Sequence, residues 1–202
     1  MLQHLRPAIV LLALLSLLTG LVYPLAVTGI ARVLLPYQAN GSLATNKDGA
    51  VIGSFLIGQA FKSDRYFHPR PSATSDTDPN DPSKTIDAPY NAANSTGSNL
   101  GPTSQKLVDR VKADVATWRG AAGEGSVPAD AVTTSASGLD PHISPENALA
   151  QVASVAKARG LPVEKVRELV ESAIERPALG ILGERRVNVL SLNLALDRLQ
   201  SP

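Results

Sequence analysis

Apolar and polar positions divide this chain near residue 35. From Ala8 to Ala31 no residue carries a charge, and Leu, Ile, Val and Ala recur without the polar stripe of a soluble amphipathic helix. At 1.5 Å per residue the stretch reaches about 36 Å as a helix, against a hydrocarbon core of about 30 Å, so it can span a bilayer once with some tilt. A cleaved secretory signal has an apolar run of only about 7–15 residues, although small residues at Ala26 and Thr28 leave a cut nearby open. A buried core helix would be shorter and carry polar positions. The chain is therefore read as a short tail over 1–7, an anchor over 8–35 and one domain over 36–202.

Beyond the anchor the periodicities are those of a water-soluble domain. Pro36 to Ala50 is turn-rich, and AVIGSFLIGQAF from Ala50 to Phe61 predicts one or two short buried strands where a core begins. Ser72 to Thr103 holds Pro79, Pro82, Pro89 and Pro102 among Asn, Asp, Ser and Thr. With only Ile86 and Leu100 as large aliphatics, 72–103 reads as a long polar loop.

Three helices follow. Leu107, Val111, Val115 and Trp118 form one stripe behind Thr103 or Ser104 as cap, and GAAGEGS over 120–126 is a flexible connector. Ser144 caps a second helix with Pro145 at its first position and Leu149, Val152 and Ala156 inward, ended by Gly160. The third opens at Pro162, aligns Val163, Val166, Leu169, Val170, Ala173 and Ile174, and closes before Pro177. Leu190, Leu192, Leu194 and Leu196 alternate, which predicts a strand over about 187–192 with a short helical close. The fold class is α+β: one N-terminal transmembrane helix, then few strands and at least three helices.

Charge narrows the partners. Of 19 Lys and Arg only Arg6 and Arg32 fall in the first 35 residues, so the remainder is close to neutral against 18 Asp and Glu. That balance, with one Trp and three Phe, provides no footprint for nucleic acid. Arg6 before the span against Arg32 and Lys47 after it does not fix orientation. The absence of cysteine and the very short leading tail favour a domain outside the cytoplasm.

Candidate chemistry is sparse. GxxxxGK[ST], HExxH, CxxC and GxSxG are all missing, and His4, His68 and His142 are too scattered for a metal site. Thr133 to Glu146 gathers Ser135, Ser137, Asp140, His142 and Ser144, and one reading is an anchored extracytoplasmic hydrolase using the Ser135–Ser144 region. The plainer reading is a turn leading into a helix, since triad members normally come from separate segments. Gly97 and Gly101 in STGSNLGP form either a weak anion nest or a turn. Arg65 and Arg70 flank Tyr66, Phe67 and His68, and two readings stand: a docking cluster, or core aromatics between solvated arginines.

Eight segments in order resemble the C subunit of the Kdp potassium-transporting P-type ATPase: GLVYPLAVTGI (20–30), QANGSL (38–43), GSFLIGQAF (53–61), YFHPRPSA (66–73), PYNAANSTGSNLGPTS (89–104), VTTSASGLDPHISP (132–145), VAKARGL (155–161) and VNVLSLNLALDRL (187–199). The resemblance implies a non-catalytic, single-span accessory subunit of a bacterial inner-membrane complex. Its partners would be a channel-like potassium-binding subunit and a P-type ATP-hydrolysing subunit. ATP and potassium would be handled by that complex, with no cofactor, metal or catalytic residue assigned to this chain. It also implies a catalytic chaperone that raises the ATP affinity of the hydrolysing subunit. The expected partner surface comprises Tyr23 and Pro24 in the span and Arg65, Tyr66, Phe67 and Arg70 in the domain. The stretch 74–88, with Asp76, Asp78, Asp81 and Asp87 against Lys84, looks longer than in some family members. It reads either as a device enriching cations at a potassium entrance or as a solvated insert.

Overall fold

The computed structural model describes residues 2–46, 48–122 and 125–200, and the chain falls into two compact units, Met1–Ser54 and Phe55–Pro202. In the first, α1 (Leu2–Leu17), one π-helical turn (Leu18–Val22) and α2 (Tyr23–Leu34) form one continuous apolar helix long enough to cross a bilayer, with none of its span buried. Pro24 explains the wide turn. It has no N–H for the Gly20 carbonyl and its ring crowds that turn, so the ladder shifts and Tyr23 N–H donates to Leu18 O, five residues back. Thr19 Oγ1 further donates to Leu15 O (2.7 Å). After α3 (Pro36–Ala39), strands β1 (Leu43–Thr45) and β2 (Val51–Ser54) pair antiparallel. The strand expected near residue 51 is present, but Val51 and Ile52 are exposed, so the core does not begin there.

The core lies in the second unit. Helices α6 (Pro145–Arg159), α7 (Val163–Ser172) and α8 (Val189–Gln200) pack with a three-stranded antiparallel sheet. Its order is β5 (His142–Ile143), β7 (Arg186–Asn188), β6 (Ile174–Glu175). Val152, Val155, Val166, Val170, Leu192 and Leu196 form its buried centre. The α6 start follows the expected logic: Ser144 Oγ accepts from Asn147 N–H (3.1 Å), and Pro145 occupies the first turn. Gly160, at φ 66°, closes the helix in the left-handed conformation that glycine adopts without a Cβ clash.

Two boundaries differ from expectation. Ile174 leaves α7 to pair with Val187, so the third helix ends at Ser172. The expected strand over 187–192 is only Arg186–Asn188; α8 then begins at Val189, because Asn188 Oδ1 accepts from Ser191 N–H (3.0 Å) as an N-cap. The inward positions are Val189, Leu190, Leu192, Asn193 and Leu196, a helical spacing that the apolar but half-buried Leu194 masks in the sequence.

The segment 72–103 contains a hairpin, β3 (Ser75–Asp78) and β4 (Asp81–Asp87), whose faces are largely exposed. Thr74 anchors it. This residue is buried, its Oγ1 donates to Ala88 O (2.6 Å) and accepts from Asn91 N–H (3.0 Å). Asn91 and Asn94 side chains both donate to Ser75 O. Polar side chains here perform the closing that apolar burial performs elsewhere. α4 (Gln105–Ala122), which packs against α5 (Ala129–Val132) and α6, turns Leu107, Val111, Val115 and Trp118 to a half-buried face and runs three residues into the stretch expected as connector, of which 123 and 124 lie outside the described residues. On that face Arg110 Nε and Asp114 Oδ2 are buried without a hydrogen-bond partner, and desolvation pushes the Asp114 carboxyl up against the pull of Arg110.

Candidate functional site

In the span, Tyr23 and Pro24 follow directly on the π-helical turn, and both are exposed. Turns of this kind mark places where a membrane helix is adapted rather than merely long.

The Arg65–Arg70 cluster resolves into separate roles. Phe67 is 0% exposed and belongs to the core, so a partner cannot reach its ring. The backbone there crosses the core as an extended chain: Phe67 N–H donates to Asn193 Oδ1 (2.9 Å) while Asn193 Nδ2 donates to Phe67 O (3.0 Å). Gln151 repeats the device on His68, accepting from its N–H (2.7 Å) and donating to its carbonyl (3.1 Å). Two side-chain amides thus replace the neighbouring strand that this segment lacks. Sequence reading missed both, since an Asn and a Gln on helices have no periodic signature. Tyr66 is half-buried, its hydroxyl donates to Asp197 Oδ2 (3.2 Å), and the Arg159 guanidinium lies 4.6 Å from its ring centre while also pairing with Asp197 (2.8 Å). Arg65 is exposed at the surface, and its carbonyl accepts from Arg159 Nε.

Arg70 organises the other half. Its Nη1 donates to Asp140 Oδ2 (2.8 Å), and its Nε and Nη2 reach the carbonyls of Thr133 and Thr134. Burial pushes the Asp140 carboxyl up, but hydrogen bonds from the His142 side chain and backbone, then Arg70, outweigh it and hold the group below the usual carboxylate range. Tyr90 OH donates to Arg70 O (2.7 Å), and burial, aided by the Asp140 charge, raises the phenol. Gly138 lies against Thr74 and Thr96 at φ 67°, where a Cβ would lie 2.6 Å from Thr96 O. Gly97 is the same kind of close approach, its missing Cβ leaving room for the Ala136 backbone.

Arg70 and Asp140 border two open clefts. One, of about 660 Å³, is lined by Leu56, Ile57 and the 134–141 loop, and the other, of about 540 Å³, by Asp130, His142 and the 184–186 strand entry. Neither assembles the hydrolase that Ser135–Ser144 suggested. Ser144 Oγ donates to Asp130 (2.8 Å) and caps α6, the Ser135 and Ser137 hydroxyls face each other at 3.5 Å, and His142 Nδ1 turns to Asp140 (3.5 Å). A nucleophile must hydrogen-bond its base, and among the described residues no serine hydroxyl meets His142. The described residues also contain no cluster of three metal-ligating side chains.

The family model for the K+-transporting ATPase c chain, KdpC, matches residues 5–198. The chain is 64% identical over 198 residues to the "Potassium-transporting ATPase KdpC subunit" of Bradyrhizobium diazoefficiens, covering 98% of each. It is 62% identical to proteins of the same name from Rhodopseudomonas palustris (strain CGA009) and Methylobacterium nodulans, again covering 98% of each.

Proposed function

The chain belongs to the KdpC family of potassium-transporting ATPase C chains, and from that membership we propose how its two units serve the assembly. It is an accessory subunit of the potassium-transporting ATPase. The observation that carries this is the match along nearly the whole chain, including the apolar helix, joined to a domain whose polar clusters are engaged in holding its own loops.

In our reading the helix Gln3–Leu34 lies in the inner membrane and the second unit lies on its outer side. Tyr23 and Pro24 face a neighbouring membrane helix, because a proline-widened turn is best satisfied against protein. The partners are the channel-like potassium-binding subunit and the P-type ATP-hydrolysing subunit, and Arg65 and Tyr66 contribute to the exterior contact. A gain in ATP affinity of the hydrolysing subunit then arises without nucleotide contact: a subunit that binds one conformational state better shifts the population toward it.

The test is omission. Complex purified from cells lacking this chain should lose most potassium-stimulated ATP hydrolysis, restored by adding the chain, and the chain alone should hydrolyse nothing. Full activity without it would contradict the accessory role.

A further inference from the structure

We propose that backbone carbonyls bared at the π-helical turn in mid-span accept hydrogen bonds from a neutral donor side chain, a hydroxyl or carboxamide, on a transmembrane helix of another subunit. This deepens, and rests on, the placement of Tyr23 and Pro24 against a neighbouring helix. Within the wide turn Leu18–Val22 the N–H groups reach five residues back, so Tyr23 N–H is spent on Leu18 O, and Pro24 has no N–H to give. Helix α2 starts at Tyr23 with Val22 as its N-cap, which commits Ala26 N–H to Val22 O. Thr19 O, Gly20 O and Leu21 O are left with a single N–H in reach, that of Leu25. Two of these three carbonyls therefore go unmet. No side chain among the described residues repairs the deficit, and Thr19 Oγ1 points the other way, donating to Leu15 O (2.7 Å).

Depth makes the deficit costly. Thr19 to Leu21 fall at the middle of the helix Gln3–Leu34, and none of that span is buried within this chain. Lipid tails and an apolar helix face offer no donor, so either would leave the carbonyls bare in hydrocarbon. The neighbour must bring N–H or O–H groups. A lysine or arginine would also need a counter-charge, and Gln3–Leu34 holds no Asp or Glu, which selects a neutral hydroxyl or carboxamide. A parallel second copy brings Thr19 to the same level, but that hydroxyl is already used on Leu15 O. Gly20 lies among the three carbonyls with nothing within 4 Å of where its Cβ would stand, so a donor can approach the backbone closely.

Isotope labels can single out these carbonyls in the full-length chain. Carbonyl-labelled threonine with nitrogen-labelled glycine marks only the peptide bonds after Thr19, Thr28 and Thr96, and the glycine–leucine pair marks only those after Gly20, Gly138 and Gly160. Since two of the three carbonyls are unmet, at least one of Thr19 and Gly20 is among them. Solid-state spectra are compared between the chain in nanodiscs and the chain assembled with unlabelled partner subunits. A new hydrogen bond moves a carbonyl resonance downfield, and the expected result is such a shift at Thr19, Gly20 or both on assembly, larger than any change at the other labelled positions. Unmoved Thr19 and Gly20 in a chain that the complex retains would overturn the donor and leave the subunit reading standing, whereas a chain not retained would sink both. A shift that requires potassium, or that appears with two copies of the chain and no other subunit, would assign the carbonyls to an ion or to a second copy and overturn the donor as well. Pro24→Ala supplies the missing N–H and lets the α-helical ladder close. That variant should keep its helicity, lose the shift on assembly and be retained by the complex at least fivefold less, and undiminished retention would contradict the contact.

Discussion

The second unit is two structures joined in one. Around α6, α7 and α8 the interior is aliphatic, with Val152, Val166, Val170, Leu192 and Leu196 excluded from water. Around residues 72–103 and 133–140 almost nothing large and apolar is buried, and closure depends on Thr74, Asn91, Arg70 and Asp140 bridging backbone groups of distant segments. The first half is held by area removed from water, a non-directional force that tolerates substitution of one aliphatic by another. The second is held by hydrogen bonds, which require particular atoms in particular places, so single-atom changes there should act locally and steeply.

Leu196→Ala should have the largest effect, about 2–5 kcal/mol of lost stability for an emptied core site, measured by denaturant unfolding in detergent, with amide protection falling throughout α6–α8. If protection fell instead only near residue 196, the aliphatic half would not be one cooperative body. Gly138→Ala comes next, at about 2–4 kcal/mol, because the new Cβ meets Thr74 and Thr96 in a left-handed backbone.

These contrasts also separate what was legible in the sequence from what was not. Spacing of Val166, Leu169 and Val170, the Ser144–Pro145 start and the Gly160 stop all act within one or two turns, so the α6–α7 hairpin could be read directly, although Val163, expected on the same stripe, is exposed. The span was equally plain. Alternating leucines hid α8, because its deciding feature is the Asn188 cap and not the apolar pattern. The polar half was unreadable for a deeper reason: Ser72 donates to Gly138 O and Thr74 to Ala88 O, and nothing local predicts partners 66 and 14 residues away. For the same reason Phe67 could be suspected as either surface or core, and the Asn193 clamp on its own backbone, next to the Gln151 clamp on His68, settles its place.

Thr74→Val keeps shape and removes one hydroxyl, leaving Ala88 O and Asn91 N–H without that partner. A loss of about 1–3 kcal/mol is expected, with hydrogen exchange accelerated over 88–95 and unchanged in α6. Uniform acceleration would erase the distinction between the halves. The smallest effect belongs to Asp140. Its folded carboxyl titrates below its unfolded value, so its stabilisation is complete above about pH 4 and disappears as pH falls through the depressed folded value. Asp140→Asn should therefore lower the thermal midpoint at pH 7 by an amount that shrinks below pH 4, and a gap constant across that range would contradict the assignment.

The proposed function requires one helix in the membrane and the folded unit on its outer face. Labelling Lys84→Cys in intact spheroplasts with an impermeant maleimide tests this most directly, as Lys84 stands on the exposed hairpin and the chain has no other thiol. Modification before lysis, while a cytoplasmic thiol protein stays unmodified, is the predicted result. Modification only after lysis would place the domain inside and contradict the arrangement.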